Sequence, residues 1–418
     1  MAQQTPSVNR GWTVTTAAVC ANLVLGALYA WGVIGKVLVD PAGSWHWTKT
    51  QASFPFTVAT ATFAVMMIFA GRAQDKIGPR IVVMLGGIIF GLGLIASAFA
   101  KTPMQMALAF GLVGGIGIGL GYSATTPPAI KWFHPSKKGL ITGIVVSGVG
   151  LAAVYIAPLT QYLLAETGVQ STFLMLGTAA AVLVCLFAQF LSNPPAGYVP
   201  PAPAAAGTAA AGKAPAAAKR DLDWNEMLRT PRFYLLWVMF VLAASAGLMI
   251  IMHVSIIAKE QAGWKWGFVP IATLAVFNTL GRLASGFLSD RIGRSRTMTL
   301  AFILQAVNMF LFARYTTPEL VVFGAAFTGL CYGTIFTLFP AATADSYGLR
   351  NLGVNYGIVF TAFGVAGVTG PIFAGMLRDK LGDYHTAYII SACMLLVAAG
   401  LALTVRTPKP APQPATTG

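Results

Sequence analysis

The sequence predicts an all-α membrane protein of twelve transmembrane helices, arranged as two pseudo-symmetric six-helix bundles. Three observations carry this expectation. Of 418 residues, 56% are hydrophobic and only 9% charged, where a soluble domain carries about 25%. Apolar runs long enough to cross a bilayer recur along the whole chain. Short motifs in the first half return in the second at a nearly constant offset.

The runs lie at about 12–36, 52–70, 79–100, 104–128, 138–163, 170–192, 232–258, 266–288, 296–315, 318–344, 352–377 and 384–405. The first is too long for the apolar core of a signal peptide and reads as a retained span. An even number puts both termini on one side. With that side taken as cytoplasmic, the inner segments hold 18 of the 27 Lys and Arg residues and the outer loops eight. The last is Arg282, inside a span. This bias explains the net charge of +15 by the positive-inside rule and places the protein in the cell inner membrane. The basic residues are dispersed through short loops, so nucleic acid is not an expected partner.

Residues 193–231 differ from their surroundings. Pro, Ala and Gly dominate them, a composition that cannot pack a core. They read as a cytoplasmic linker between an N-terminal bundle, 1–192, and a C-terminal bundle, 232–406. The linker ends at Trp224, Met227 and Leu228, a candidate interfacial helix before Pro231. Residues 407–418 read as a disordered tail. The four cysteines, Cys20, Cys185, Cys331 and Cys393, are far apart in apolar runs and read as free buried thiols. No metal-ligand spacing and no phosphate-binding Gly-rich loop occurs, so no cofactor, metal or ATPase activity is expected.

The internal repeat rests on three matches. Gly71, Asp75 and Gly78, in what reads as the loop after span 2, recur 215 residues later as Gly286, Asp290 and Gly293 in the loop after span 8. Gly119 and Tyr122 recur at offset 210 as Gly329 and Tyr332, and Pro158 recurs at offset 213 as Pro371. Gly71 and Gly286 permit close helix contact. Asp75 and Arg80, with Asp290 and Arg294, read as a cytoplasmic latch between neighbouring helix ends. The Gly-rich stretches in spans 4, 5 and 11 read either as a moving interface or as plain tight packing.

All twelve acidic residues fall in loops or at span ends. Arg282 is therefore an intramembrane cation without an acid in the membrane to pair with. Either it snorkels to the nearby cytoplasmic end or it binds an anionic substrate, for which its planar fork suits a carboxylate. Asn278 lies one turn earlier on the same face. The repeat partner of Arg282 is Met67, so the charge does not belong to the shared scaffold. His253 is the only mid-span histidine and reads as a packing residue or a proton-linked group. Tyr122 and Tyr332 offer hydroxyls to a cavity or pack as rings. Phe336, Phe360 and Phe363, with Leu28 of span 1, would line its apolar wall.

The duplicated Gly-x-x-x-Asp-(Arg/Lys)-x-Gly-x-(Arg/Lys) motif resembles the signature of the major facilitator superfamily. The chain further resembles the monocarboxylate transporter family and its bacterial relatives, oxalate/formate antiporters among them. That likeness rests on Arg10-Gly-Trp opening span 1, on Trp132-Phe133 and Lys137-Lys138-Gly leading into span 5, on Leu228-Arg-Thr-Pro231 before span 7, and on Asn278 with Arg282. It implies a transporter rather than an enzyme, working as a monomer in the bilayer by proton symport of a small monocarboxylate such as L-lactate. Animal members carry an Asp and a Lys where this chain has Asn278 and apolar residues near Leu28. Oxalate-type relatives carry a second cation where Phe363 stands. An anion exchanger and a non-transporting membrane sensor are the alternative functions.

Overall fold

The computed structural model describes residues 10–41, 43, 45–195, 197–200, 221–264 and 268–404. Most of the expected linker and the whole tail at 407–418 lie outside these residues. The described chain is helical throughout its ordered elements. The apolar stretches of spanning length are α1 Gly11–Val39, α2 Thr50–Ile77, α3 Pro79–Ser97, α4 Pro103–Lys131, a single stretch Pro135–Ala188, α7 Pro231–Ala262, α8 Val269–Ile292, α9 Arg294–Phe312, α10 Pro318–Tyr347, α11 Leu352–Leu381 and α12 His385–Thr404.

These are eleven stretches, and the one at Pro135–Ala188 has 54 residues. At 1.5 Å per residue it would be ~80 Å long, against a hydrocarbon core of about 30 Å. It turns back at Gly168, whose φ of +76° and ψ of 177° leave the helical region. Only glycine takes that backbone conformation without steric cost. The stretch is thus two spans, α5 (138–167) and α6 (169–188), and the total among the described residues is twelve.

The motif segments read as loops from sequence are mostly helical. α2 runs on through Asp75 to Ile77 and α8 through Asp290 to Ile292. Nothing between Gly71 and Gly78 breaks a helix, so the polar residues extend the span past its apolar part. The breaks fall at Gly78 (φ +90°) and Gly293 (φ +95°), which explains why this repeated position is glycine. The linker's described end forms a short helix, Trp224–Leu228, with a reciprocal Asp223–Glu226 capping box. All four cysteines are free. Only Cys331 is buried as expected; Cys20 and Cys185 are half-buried and Cys393 is exposed.

Two spans depart from regular α-helix inside the bundle. α1 tightens to a 3₁₀ segment at Gly26–Ala30, and α4 widens to a π-helix at Ala107–Gly114. Such interruptions mark places where a helix can bend.

The halves meet along two seams, α2 against α11 and α5 against α8. A Cβ added to Gly143 of α5 would lie 2.4 Å from the Arg282 carbonyl oxygen of α8. One added to Gly357 of α11 would lie 2.4 Å from the Met67 carbonyl oxygen of α2. Gly357 follows Gly143 by 214 residues and Arg282 follows Met67 by 215. The seams are therefore copies of one backbone contact, and the side chain of Arg282 distinguishes them.

Candidate functional site

Arg282 is 1% exposed, one of the largest fully buried side chains of the protein. Its Nε donates to the Asn278 side-chain oxygen at 3.0 Å, as the one-turn spacing on α8 requires. Its Nη1 donates to the backbone carbonyl of Val146 on α5. Its Cζ sits 4.6 Å from the centroid of the Phe336 ring. Among the described residues it makes no ion pair. A buried unpaired ion costs several kcal/mol, and a ring face returns only about 0.5–2 kcal/mol. The guanidinium therefore remains short of a negative partner.

Gly150 makes room for it. A Cβ there would come within 2.7 Å of Thr279 Oγ1 and 3.5 Å of Arg282 Nε.

The remaining residues singled out from sequence form an aromatic wall beside this cation. Phe336 contacts Tyr332 at 5.3 Å, Phe363 at 5.5 Å and Phe360 at 6.4 Å between ring centroids. Phe360 is fully buried and lies at the centre of the group. It meets Tyr122 of the other half at 6.0 Å and Phe363 at 5.1 Å. Leu28 sits in the 3₁₀ segment of α1, half-buried against the core. Edge-to-face and offset ring pairs of this kind stabilise beyond their buried area.

Four participants escaped sequence reasoning. Tyr356 packs 5.7 Å from Phe360, and the hydroxyls of both Tyr356 and Tyr122 are buried without a hydrogen-bond partner among the described residues. Tyr356, Phe360 and Phe363 share one face at spacings of four and three, so the helical period could have found Tyr356. Phe63 contacts both Tyr122 (5.5 Å) and Phe360 (5.1 Å). It stands 215 residues before Asn278, so the repeat pointed to it. Tyr29, 38% exposed, adjoins Leu28 in the same 3₁₀ segment of α1. Val146 contributes a backbone carbonyl, for which side-chain identity gives no signal.

His253 stands apart from this cluster. Its Nδ1 is 3.0 Å from the Met249 carbonyl oxygen of its own helix. Its ring packs 5.3 Å from Tyr384, near the Glu260–Arg378 ion pair that joins the ends of α7 and α11. None of these neighbours touches Arg282.

The four latch candidates divide. Asp290, at the end of α8, accepts hydrogen bonds from the backbone N–H groups of Gly139 (2.9 Å) and Leu140 (2.8 Å), the first turn of α5. Asp75, at the end of α2, accepts from Gly353 (3.4 Å) and Val354 (3.1 Å), the first turn of α11. Each carboxylate caps a helix N-terminus of the opposite half, where the helix dipole favours negative charge. Arg294 braces Asp290 at 2.7 Å and Asp345 at 3.0 Å, and Lys138 reaches Asp345 from the other half at 3.2 Å. Arg80, in contrast, is exposed and has no hydrogen bond or ion pair among the described residues. No group of His, Cys, Asp or Glu able to hold a metal occurs among them.

Comparison with known proteins agrees with this architecture. The sequence profile of the Major Facilitator Superfamily matches residues 17–285 and 270–418. The oxalate:formate antiporter of Oxalobacter formigenes is 28% identical over 401 residues, covering 95% of this chain and 91% of that one. Monocarboxylate transporter 13 of Rattus norvegicus is 26% identical over 410 residues, covering 96% and 90%. Among solved structures, the Major Facilitator Superfamily transporter FucP in an outward conformation superposes with a TM-score of 0.67 at 16% identity, covering 93% of this chain and 97% of that one. These relatives are transporters, not enzymes. The chain belongs to the Major Facilitator Superfamily.

Proposed function

We propose that the protein carries small monocarboxylates of the L-lactate type across the inner membrane by proton symport. The observation that carries this reading is the buried Arg282, which lacks an acidic partner among the described residues and faces an aromatic wall. A single carboxylate would complete the cation, and a short carbon body would rest against Phe336, Phe360 and Phe363. The hydroxyls of Tyr122 and Tyr356 are further hydrogen-bond donors for the cargo. Phe363 in place of a second cation favours a monoanion over a dianion.

The mechanism is alternating access by rocking of two bundles, 1–192 and 232–406, about the mid-membrane site, with 193–231 as a cytoplasmic linker and both termini inside. The ends of α2 and α8 are latched to α11 and α5, which supports a state closed toward the cytoplasm and loaded from outside. A carboxylate approaching Arg282 competes with the Val146 carbonyl for the guanidinium. Loading thus loosens the α5–α8 seam at the level of the cargo. The proton travels with the substrate, because His253 has no contact with the Arg282 cluster.

Proteoliposomes test this reading. Labelled L-lactate should accumulate inside when the outside is acidified, and unlabelled lactate should compete. The similarity to the oxalate:formate antiporter supports a second reading, carboxylate exchange. Uptake that requires an internal counter-anion and ignores the pH gradient would establish exchange instead of symport.

A further inference from the structure

A groove of about 530 Å³ opens on the outer face of the bundle, away from Arg282. Arg229, Pro231, Tyr234 and Leu235, Val238 of α7 and Leu401 of α12 line it. We infer that this groove binds an anionic membrane phospholipid, its headgroup on Arg229 and one acyl chain along α7 and α12.

The order of the lining residues carries the inference. Arg229, just before α7, stands at the end of the bundle that also bears Asp290 of α8 and Arg294 of α9, since Ser295 of α9 hydrogen-bonds the Ala402 carbonyl beside Leu401. From Pro231 the groove descends one to two turns through Leu235 and Val238, ~6–11 Å into the bilayer at 1.5 Å per residue. Charge at the surface and apolar side chains beneath it match a phospholipid from head to tail. A water-soluble partner could not reach the lower part, which faces hydrocarbon.

The chemistry of the mouth selects the headgroup. The Arg229 side chain is exposed and has no hydrogen bond or ion pair among the described residues. A free guanidinium at the interface attracts a net negative headgroup and can hold its phosphate by two parallel hydrogen bonds. Tyr234, 57% exposed, places an amphipathic ring at headgroup depth, where such rings concentrate. The volume falls within the range of sites that bind small organic molecules.

The site also touches the latch end. Arg229 directly follows the short helix Trp224–Leu228. The neighbouring Thr230 hydroxyl lies 3.2 Å from that of Tyr347, and the Leu222 N–H donates to the Tyr347 carbonyl at 3.0 Å. A bound headgroup thereby steadies the segment that braces the α10–α11 turn.

Native mass spectrometry of the detergent-purified protein tests the inference. Phosphatidylglycerol and phosphatidylcholine with identical chains are offered together to the unaltered protein, to Arg229→Ala and to Val238→Trp. The unaltered protein should retain phosphatidylglycerol about fivefold over phosphatidylcholine, the preference one interfacial arginine supplies. Arg229→Ala should lose that preference, and Val238→Trp, which fills the groove without touching the charge, should retain less of both lipids. Both positions are exposed, and monodispersity checks that the variants fold. Equal retention of the two lipids by the unaltered protein, or an undiminished preference in Arg229→Ala, would overturn the assignment.

Discussion

The guanidinium of Arg282 hydrogen-bonds the carbonyl of Val146, 136 residues away in the other half of the molecule. The cation therefore holds the two halves together at mid-membrane until something more negative takes it. A neutral carbonyl is a weaker partner than a carboxylate, whose hydrogen bonds to an arginine are charge-assisted.

Arg282→Lys keeps the charge but loses the planar fork. A charge-assisted hydrogen bond contributes about 1.5–3 kcal/mol, so initial uptake should fall roughly 10- to 100-fold. Protein yield in the membrane should persist. Unchanged uptake kinetics in proteoliposomes would reduce Arg282 to an interface-seeking residue.

Gly143→Ala tests the seam itself. Its Cβ would stand 2.4 Å from the Arg282 carbonyl oxygen, so α5 and α8 must separate. Overpacking of this kind costs about 1–3 kcal/mol. Thermal unfolding in detergent should occur several degrees lower, and transport should drop. Gly357→Ala, at the copied seam, should be similarly destabilised.

Phe363→Ala enlarges the wall beside Phe336 and Phe360. Competition assays should show longer monocarboxylates displacing lactate better than they do in the unaltered protein. Phe363→Lys should bring dicarboxylates into competition. A substrate profile unmoved by both changes would remove Phe363 from the site.

Asp290→Asn weakens the cap on α5 and unbalances Arg294. Cysteines introduced at this end of α5 should react with a soluble thiol reagent several-fold faster. Asp75→Asn should show a smaller rise, since its bonds to α11 are longer. Equal reactivity in all three proteins would mean that these carboxylates do not hold the end shut.

His253→Gln removes a titratable ring that packs on Tyr384 rather than on the Arg282 cluster. Acid-driven accumulation of lactate should survive. Normal lactate exchange with no response to a pH gradient would make His253 the proton carrier.

Much of the fold was legible because a bilayer demands long apolar runs and leaves them plain in the sequence. The repeat exposed the duplicated Gly-x-x-x-Asp motif, and the physical cost of an intramembrane charge singled out Arg282. Helical spacing then tied Asn278 to it. Other features left weaker traces. The motif segments were misjudged as loops because polar composition resembles a loop even where no residue breaks the helix. Arg80 carries the residue type of a latch without a partner among the described residues, whereas Arg294 has two carboxylates. Val146 acts through its backbone, which every residue possesses. Tyr356 and Phe63 were visible in principle, one through helical period and the other through the repeat. Both look like ordinary apolar packing until the rings around Phe360 are assembled.

The two seams share one backbone contact but only one bears a cation. A symmetric motion is thereby given a chemical direction. Arg282, Asn278, Tyr332, Phe336 and Phe360 all belong to the second half of the chain, so in the proposed mechanism that half would hold the anion whichever side is open. The first half supplies mainly Phe63, Tyr122 and the opposing backbone carbonyl of Val146. Of the two repeated positions, one places a guanidinium between the halves, while its twin at Met67 meets the other half at Gly357 with no charge at all.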